Sequence, residues 1–128
     1  MLPQADMNWI EIPAETIRQY TSDLITKGEF RHLSTITGYQ DGETICLLYH
    51  FLVPQGALNV RVCVPLANPV LPSISPVLIG AILYEREIQD LLGVRFEGIV
   101  DARRVILPDH FPQDVFPLRK DFKKEDLP

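Results

Sequence analysis

The apolar positions of this chain change period twice. Between Pro13 and Lys27 they fall at helical spacing, with Ile17, Tyr20, Leu24 and Ile25 on one face, which predicts an amphipathic helix. Pro13 suits the first turn, where its missing N–H is not needed. Glu15 early and Lys27 late match the helix dipole, and Gly28 ends the run. The period then shortens. Phe30 to Thr37 alternates weakly, Glu43 to Val53 is almost continuously apolar, and Ala57 to Leu66 alternates cleanly. In that last run Leu58, Val60, Val62, Val64 and Leu66 face one way, and Asn59, Arg61 and Cys63 the other. Asp41-Gly42 and Pro54-Gln55-Gly56 punctuate the runs, so the three strands read as an antiparallel meander. Asn68 to Ser75 is Pro-rich and reads as a linker. Helical spacing returns with Val77, Ala81, Tyr84, Ile88 and Leu91, for which Ser75 is the expected N-cap, Pro76 the first helical residue and Gly93 the left-handed stop. Phe96 to Leu107 leaves room for one or two further short strands. Helix, meander and helix in this order predict an α+β fold. It is a two-layer α/β domain, with two helices on one face of a mainly antiparallel sheet of about three to five strands.

The C-terminal stretch fits no period. Pro108, Pro112, Pro117 and Pro128 exclude regular structure, yet Phe111, Phe116, Leu118 and Phe122 are too many large apolar groups for a free tail. The expected organisation is therefore a domain over 1–107 and an irregular Pro-rich arm over 108–128. The arm should lie on this domain's own sheet or on another chain. In isolation it should move freely or borrow a contact from a second copy, a homo-oligomer.

Composition narrows the function classes. A chain of 128 residues with 46% hydrophobic and 23% charged residues is an ordinary globular domain. A formal net charge of -5 gives it no general attraction to nucleic acid. Its basic residues gather late, at Arg103, Arg104, Arg119, Lys120, Lys123 and Lys124, either as a solvated tail or as a basic surface for a partner. Met1 to Asn8 shows neither a basic nor an apolar leader region, so no targeting segment is expected there. The apolar stretch Val77 to Tyr84 is far shorter than the roughly 20 residues a membrane helix needs. Membrane association is thus expected only through partners. Cys46 and Cys63 lie in strand-like runs without metal-ligand spacing. They read as buried free thiols, with a disulfide across the hairpin as the alternative.

The densest charged cluster is Glu85-Arg86-Glu87 with Asp90. On a helix Arg86 and Asp90 are four apart and suited to pairing, while Glu87 and Asp90 repel. If buried, these carboxylates need partners, and Arg103 and Arg104 are the candidates, since a guanidinium holds a carboxylate through two parallel bonds. The cluster reads equally as a solvated helix end. A small enzyme using Glu87, Asp90 and His110 is the rival reading, and a peptide-binding module with an exposed sheet edge is another. No nucleophile elbow, phosphate-binding loop, dinucleotide fingerprint or iron–sulfur cysteine set is present in the sequence. His50, alone in an apolar strand, reads as a hydrogen-bonded core histidine.

These residues carry a resemblance. Glu85-Arg86-Glu87-Ile88-Gln89-Asp90-Leu91-Leu92-Gly93-Val94, then Phe96-x-Gly98, Arg103-Arg104-x-Ile106-Leu107, Pro108-Asp109 and Pro117-Leu118-Arg119-Lys120-Asp121-Phe122 are similar to the 30-kDa subunit of respiratory NADH dehydrogenase (complex I). That family includes the small soluble subunits of energy-converting membrane-bound NiFe hydrogenases and formate hydrogenlyases. The match is detailed from Tyr84 to Phe122, and Asp114 to Arg119 looks closer to the hydrogenase branch. Ile99 stands where the family usually carries His. The resemblance implies a two-layer α/β subunit without flavin, cluster or metal. It would dock on the hydrogenase-like large subunit, near the iron–sulfur subunits, on the cytoplasmic face of a membrane arm that passes electrons to quinone or protons. Glu85, Arg86, Glu87, Asp90, Arg103 and Arg104 would form structural ion pairs. Phe116, Pro117, Leu118, Arg119, Lys120, Asp121 and Phe122 would contact the partner, and Arg104→Ala would weaken assembly without removing a cofactor.

Overall fold

The computed structural model describes residues 7–100 and 116–120. Strand β1 (Met7–Glu11) leads into a 3-10 turn (Ala14–Thr16) and helix α1 (Ile17–Thr26). A meander follows: β2 (His32–Asp41), β3 (Thr44–Val53) and β4 (Gly56–Pro65). Then come β5 (Val70–Pro72), a second 3-10 turn (Ile79–Ala81), helix α2 (Ile82–Leu92) and β6 (Arg95–Glu97).

The main sheet has the order β1-β4-β3-β2, with β4, β3 and β2 antiparallel and β1 running parallel to β4. Both hairpins form at the expected turns, and Gly42 takes a positive φ of 60° in the first. β3 turns one face to the core, where Ile45, Leu47, Tyr49, Phe51 and Val53 are all buried; on its other face Cys46 is buried but Leu52 is exposed, so the continuous apolar run does not mean cover on both faces. One face of the sheet, formed by Ile36, Ile45, Leu47, Tyr49, Phe51, Leu58, Val60, Val62 and Val64, packs with Ile17 and Leu24 of α1 and Ile88 and Leu92 of α2 in one apolar cluster. That is the two-layer α+β arrangement the pattern predicts.

Four local readings are corrected. Residues 7–11, assigned no element in the sequence, form β1, whose pairing with β4 supplies the sheet's parallel edge. The first strand runs two residues later at its start and four later at its end than its weak alternation indicates. The Pro-rich stretch holds β5, which pairs in parallel with β6. Ser75 does not cap α2. The chain first makes a tight turn, with the Val77 and Leu78 N–H groups both donating to Ile74 O (3.1 and 2.8 Å), and α2 proper begins at Ile82.

α2 sits close to the sheet because β2 carries no side chain beneath it. A Cβ on Gly38 would lie 2.7 Å from Leu92 Cδ1 and 2.9 Å from Leu47 Cδ2. Those atoms are the ends of flexible side chains and can shift, so Gly38→Ala is expected to lose about 1 kcal/mol by overpacking. Urea unfolding should show a lower midpoint with an unchanged slope.

Candidate interaction surface

The family-like residues gather at the two ends of α2. At the first end stands Glu85, a carboxylate in the middle of an apolar helix face and 0% exposed. Ser73 Oγ–H donates to its Oε1 at 2.6 Å and the Ile74 N–H to its Oε2 at 2.7 Å. Ser73 has one proton and gives it to Glu85, so in the 2.7 Å contact between the two hydroxyls Ser75 is the donor. Ser75 Oγ in turn accepts the Val100 N–H at 3.1 Å. Arg18 of α1 completes the hub. Its Nε donates to Ser73 O at 2.7 Å and its terminal nitrogen to Glu97 O at 2.6 Å. Burial pushes the Glu85 carboxyl above its ordinary range; the bonds from Ser73 and Ile74 and the charge of Arg18 oppose that shift. Tyr49 lies fully buried in the core, and burial, reinforced by the charge of Glu85, holds its hydroxyl well above the usual phenol range.

With both oxygens engaged and no exposure, Glu85 is a tie rather than a reagent. It fastens α2 to the segment after β5, and Arg18 fastens that segment and the end of β6 to α1. Gly98 belongs to the same hub. Its φ is +78°, and a Cβ there would meet the Arg18 terminal nitrogen at 2.7 Å. The Phe96-x-Gly98 motif therefore places a buried Phe96 in the core and leaves room for a guanidinium two residues later.

At the other end α2 stops at Gly93, φ 76°, in the left-handed conformation expected from the sequence. Its last carbonyls are satisfied by the turn 116–120. The Leu118 N–H donates to Leu91 O at 2.9 Å and Arg119 Nε to Leu92 O at 2.7 Å. The Arg119 guanidinium also lies 4.6 Å above the Phe116 ring. A cation here favours the negative end of the helix dipole. The Lys120 N–H reaches Gln40 Oε1 on β2 at 2.8 Å. Of the residues expected to contact a partner, Phe116 and Arg119 are thus directed at this chain's own helix, Pro117 is half-buried, and Leu118 and Lys120 are exposed. Asp121 and Phe122 lie outside the described residues, as do Arg103, Arg104 and His110.

Between the two ends runs an exposed strip. Ile79, Leu83, Glu87 and Leu91 follow at steps of four along one side, and Leu118 continues it beyond Leu91. Ile79 is 64%, Leu83 58% and Leu118 53% exposed. A groove of about 220 Å³ lies beside the strip, lined by Thr35 to Gly38 of β2 together with Glu87, Ile88, Leu91 and Leu118. Glu87 thus faces the groove, while Asp90 is buried and engaged, and Arg86, half-buried, is engaged too. His50 is hydrogen-bonded, its Nδ1–H donating to Asn59 Oδ1 at 2.6 Å and its Nε2 accepting from Thr37 Oγ1 at 3.0 Å. Among the described residues no three His, Cys, Asp or Glu side chains gather as a metal ion would need. No helix among them is long and apolar enough to cross a membrane.

Sequence reasoning missed Arg18, Ser73 and Gln40. Arg18 and Gln40 look like solvated positions on amphipathic elements. Ser73-x-Ser75 between prolines looks like a linker and a cap, and only the position of Glu85 across from it reveals its use.

Comparison with known proteins agrees with this geometry. Residues 10–127 match the family described as respiratory-chain NADH dehydrogenase, 30 Kd subunit. A subunit of the NADH-quinone oxidoreductase of Moorella thermoacetica is 35% identical over 92% of this chain and 81% of its own length. The beta subunit of the membrane-bound hydrogenase of Pyrococcus furiosus is 32% identical over 90% of this chain and 69% of its own. Among solved structures, a chain of the membrane-bound sulfane sulfur reductase, an archaeal respiratory membrane complex, superposes with a TM-score of 0.79 at 26% identity, covering 92% of this chain and 72% of that one.

Proposed function

Because the chain belongs to the family of the respiratory-chain NADH dehydrogenase 30-kDa subunit, we propose that it is a peripheral, non-catalytic subunit of a membrane-bound oxidoreductase complex. The complex is of the NADH:quinone oxidoreductase or energy-converting hydrogenase kind. The subunit docks on the large catalytic subunit and stabilises it on the cytoplasmic side, holds no cofactor of its own, and reaches the membrane only through its partners. Its arm, from Pro108 onward, extends the contact.

The observation that carries this reading is the strip of Ile79, Leu83 and Leu118 beside the α2 groove. These large apolar side chains are left in solvent on α2, on the 3-10 turn before it and on the turn 116–120 after it, and both ends of α2 are fastened by the family's own motif residues. A fixed helix with an apolar outer side is a rigid docking face, and burying such side chains against a partner contributes about 1.5–3 kcal/mol each. Electron transfer and ion movement then belong to other chains.

The test is co-purification from the native membrane. Ile79→Glu combined with Leu83→Glu touches no core contact, so the isolated chain should keep its fold within about 0.5 kcal/mol. In the cell, the tagged variant should no longer bring down the large subunit and its redox cofactors. A variant that still recovers them in wild-type yield would remove α2 from the interface.

A further inference from the structure

The sheet face turned away from the helices carries two cysteines opposite one another. Cys46 of β3 and Cys63 of β4 are register partners, and both are free thiols. The ladder fixes the kind of pair. The Leu66 N–H donates to Glu43 O at 2.8 Å, so those residues form a hydrogen-bonded pair. Pairs alternate inward from there. Thr44/Pro65 is non-hydrogen-bonded, as a proline without N–H requires, Ile45/Val64 is hydrogen-bonded, and Cys46/Cys63 is non-hydrogen-bonded. Such pairs hold their Cα atoms about 4.5 Å apart, inside the span of about 4.4–6.8 Å that a disulfide bridges.

The two sulfurs differ. Cys46 is 0% exposed, and its Sγ accepts from an Arg61 terminal nitrogen at 3.3 Å. Arg61 is itself braced by Tyr39 Oη at 3.0 Å and Glu11 Oε1 at 2.9 Å. Cys63 is partly exposed and is the sulfur a reagent reaches first. Burial, with the hydrogen bond to Cys46, pushes its thiol up to about 12, so it holds its proton at rest.

We propose that Cys46 and Cys63 form a reversible modification site, a cross-strand dithiol that low-molecular-weight disulfides convert to an intramolecular disulfide on the open face of the sheet. Cys63, on losing its proton to water, attacks one sulfur of the small disulfide, whose S–S bond breaks and releases one thiolate. Cys46, on losing its own proton to water, then attacks Cys63 Sγ, breaks the mixed disulfide and releases the second thiolate. The two cysteines are oxidised, the small disulfide is reduced to two thiols, and those thiols take up the two protons. The first step is slow, because Cys63 is mostly protonated, and the second is fast, because Cys46 is already in contact. Closure also converts the Cys46 sulfur that Arg61 contacts from thiol to disulfide, and so alters the cluster that joins β1, β2 and β4 on this face.

The experiment uses the whole chain, reduced and folded, with excess glutathione disulfide as the probe. After quenching and denaturation, thiol alkylation and intact mass are read. The expected result is loss of both alkylatable thiols, a mass lower by two hydrogen atoms, no glutathione adduct, and full reversal by dithiothreitol. Cys46→Ser should instead accumulate a stable glutathione adduct on Cys63, and Cys63→Ser should leave Cys46 reduced. A wild-type chain that keeps both thiols, accumulates the mixed disulfide, or links to a second copy would overturn the proposal.

Discussion

Replacing Glu85 by alanine is expected to lower the unfolding free energy by about 2–4 kcal/mol, since it strands the buried Ser73 and Ile74 donors and opens a void under α2. The Glu85 carboxylate carries no exposure, so no water takes over the lost bonds. Glu85→Gln separates charge from shape. Its amide oxygen can accept the Ile74 N–H while Ser73 turns its hydroxyl to accept from the amide nitrogen, so near-neutral stability is expected. The pH dependence has a sign opposite to that of most carboxylates. Burial raises Glu85 above its usual 4.5, so in the folded chain it binds its proton more tightly than in the unfolded one. Its contribution to stability is therefore greatest below 4.5 and declines as pH rises through the window between 4.5 and the raised folded value. Glutamine cannot ionise. The stability of Glu85→Gln relative to wild type should thus increase across that window, as read by urea midpoints at a series of pH values. A difference that stays flat with pH would mean that Glu85 is not destabilised by its burial.

Glu85 also marks where the sequence stops being legible. The meander, both helices, the turns at Gly42 and Gly93 and the two-layer architecture follow from period and punctuation, because each depends on neighbours along the chain. The buried side of α2 does not. Apolar spacing picks Val77, Ala81, Tyr84, Ile88 and Leu91, whereas Ala81, Glu85, Ile88, Asp90 and Leu92 are the buried residues. A pattern of hydrophobic and polar letters places a glutamate outward, and only the donors of a segment more than ten residues upstream make burial tolerable. The same holds for α1, where Thr21 is buried because its hydroxyl donates to Ile17 O at 2.9 Å, while Ile25 is left partly exposed. β1 escapes for a related reason. Its place is set by a parallel neighbour some fifty residues downstream, and a five-residue run carries too little alternation to announce itself. The candidate surface was half legible. The motif residues point to α2 and to the 116–120 turn. That the motif secures the two ends of the helix, and that the strip between them is the free surface, depends on contacts across the chain.

Gly93→Ala is the second large effect expected, and it connects the fold to the proposed docking face. The left-handed backbone costs a residue with a Cβ about 1–2 kcal/mol. The new methyl would also sit 2.6 Å from the Phe116 ring and 2.8 Å from the Arg119 terminal nitrogen, so the turn has to move. Moving it removes two hydrogen bonds from the end of α2, worth about 1 kcal/mol each, for a total loss of about 3–4 kcal/mol. A double-mutant cycle apportions this. In a Phe116→Ala background the collision with the ring is gone, and Gly93→Ala should cost only the backbone term; an equal cost in both backgrounds would show that the ring plays no part. Arg119→Met keeps the bulk over Phe116 but removes the cation and its bond to Leu92 O, and should cost about 0.5–1.5 kcal/mol, less in high salt. Because Leu118 follows the turn, displacing 116–120 takes the last apolar residue off the strip. Gly93→Ala should therefore reduce recovery of the large subunit even at temperatures where the isolated domain remains folded, whereas Gly38→Ala, which disturbs only the core beneath α2, should not.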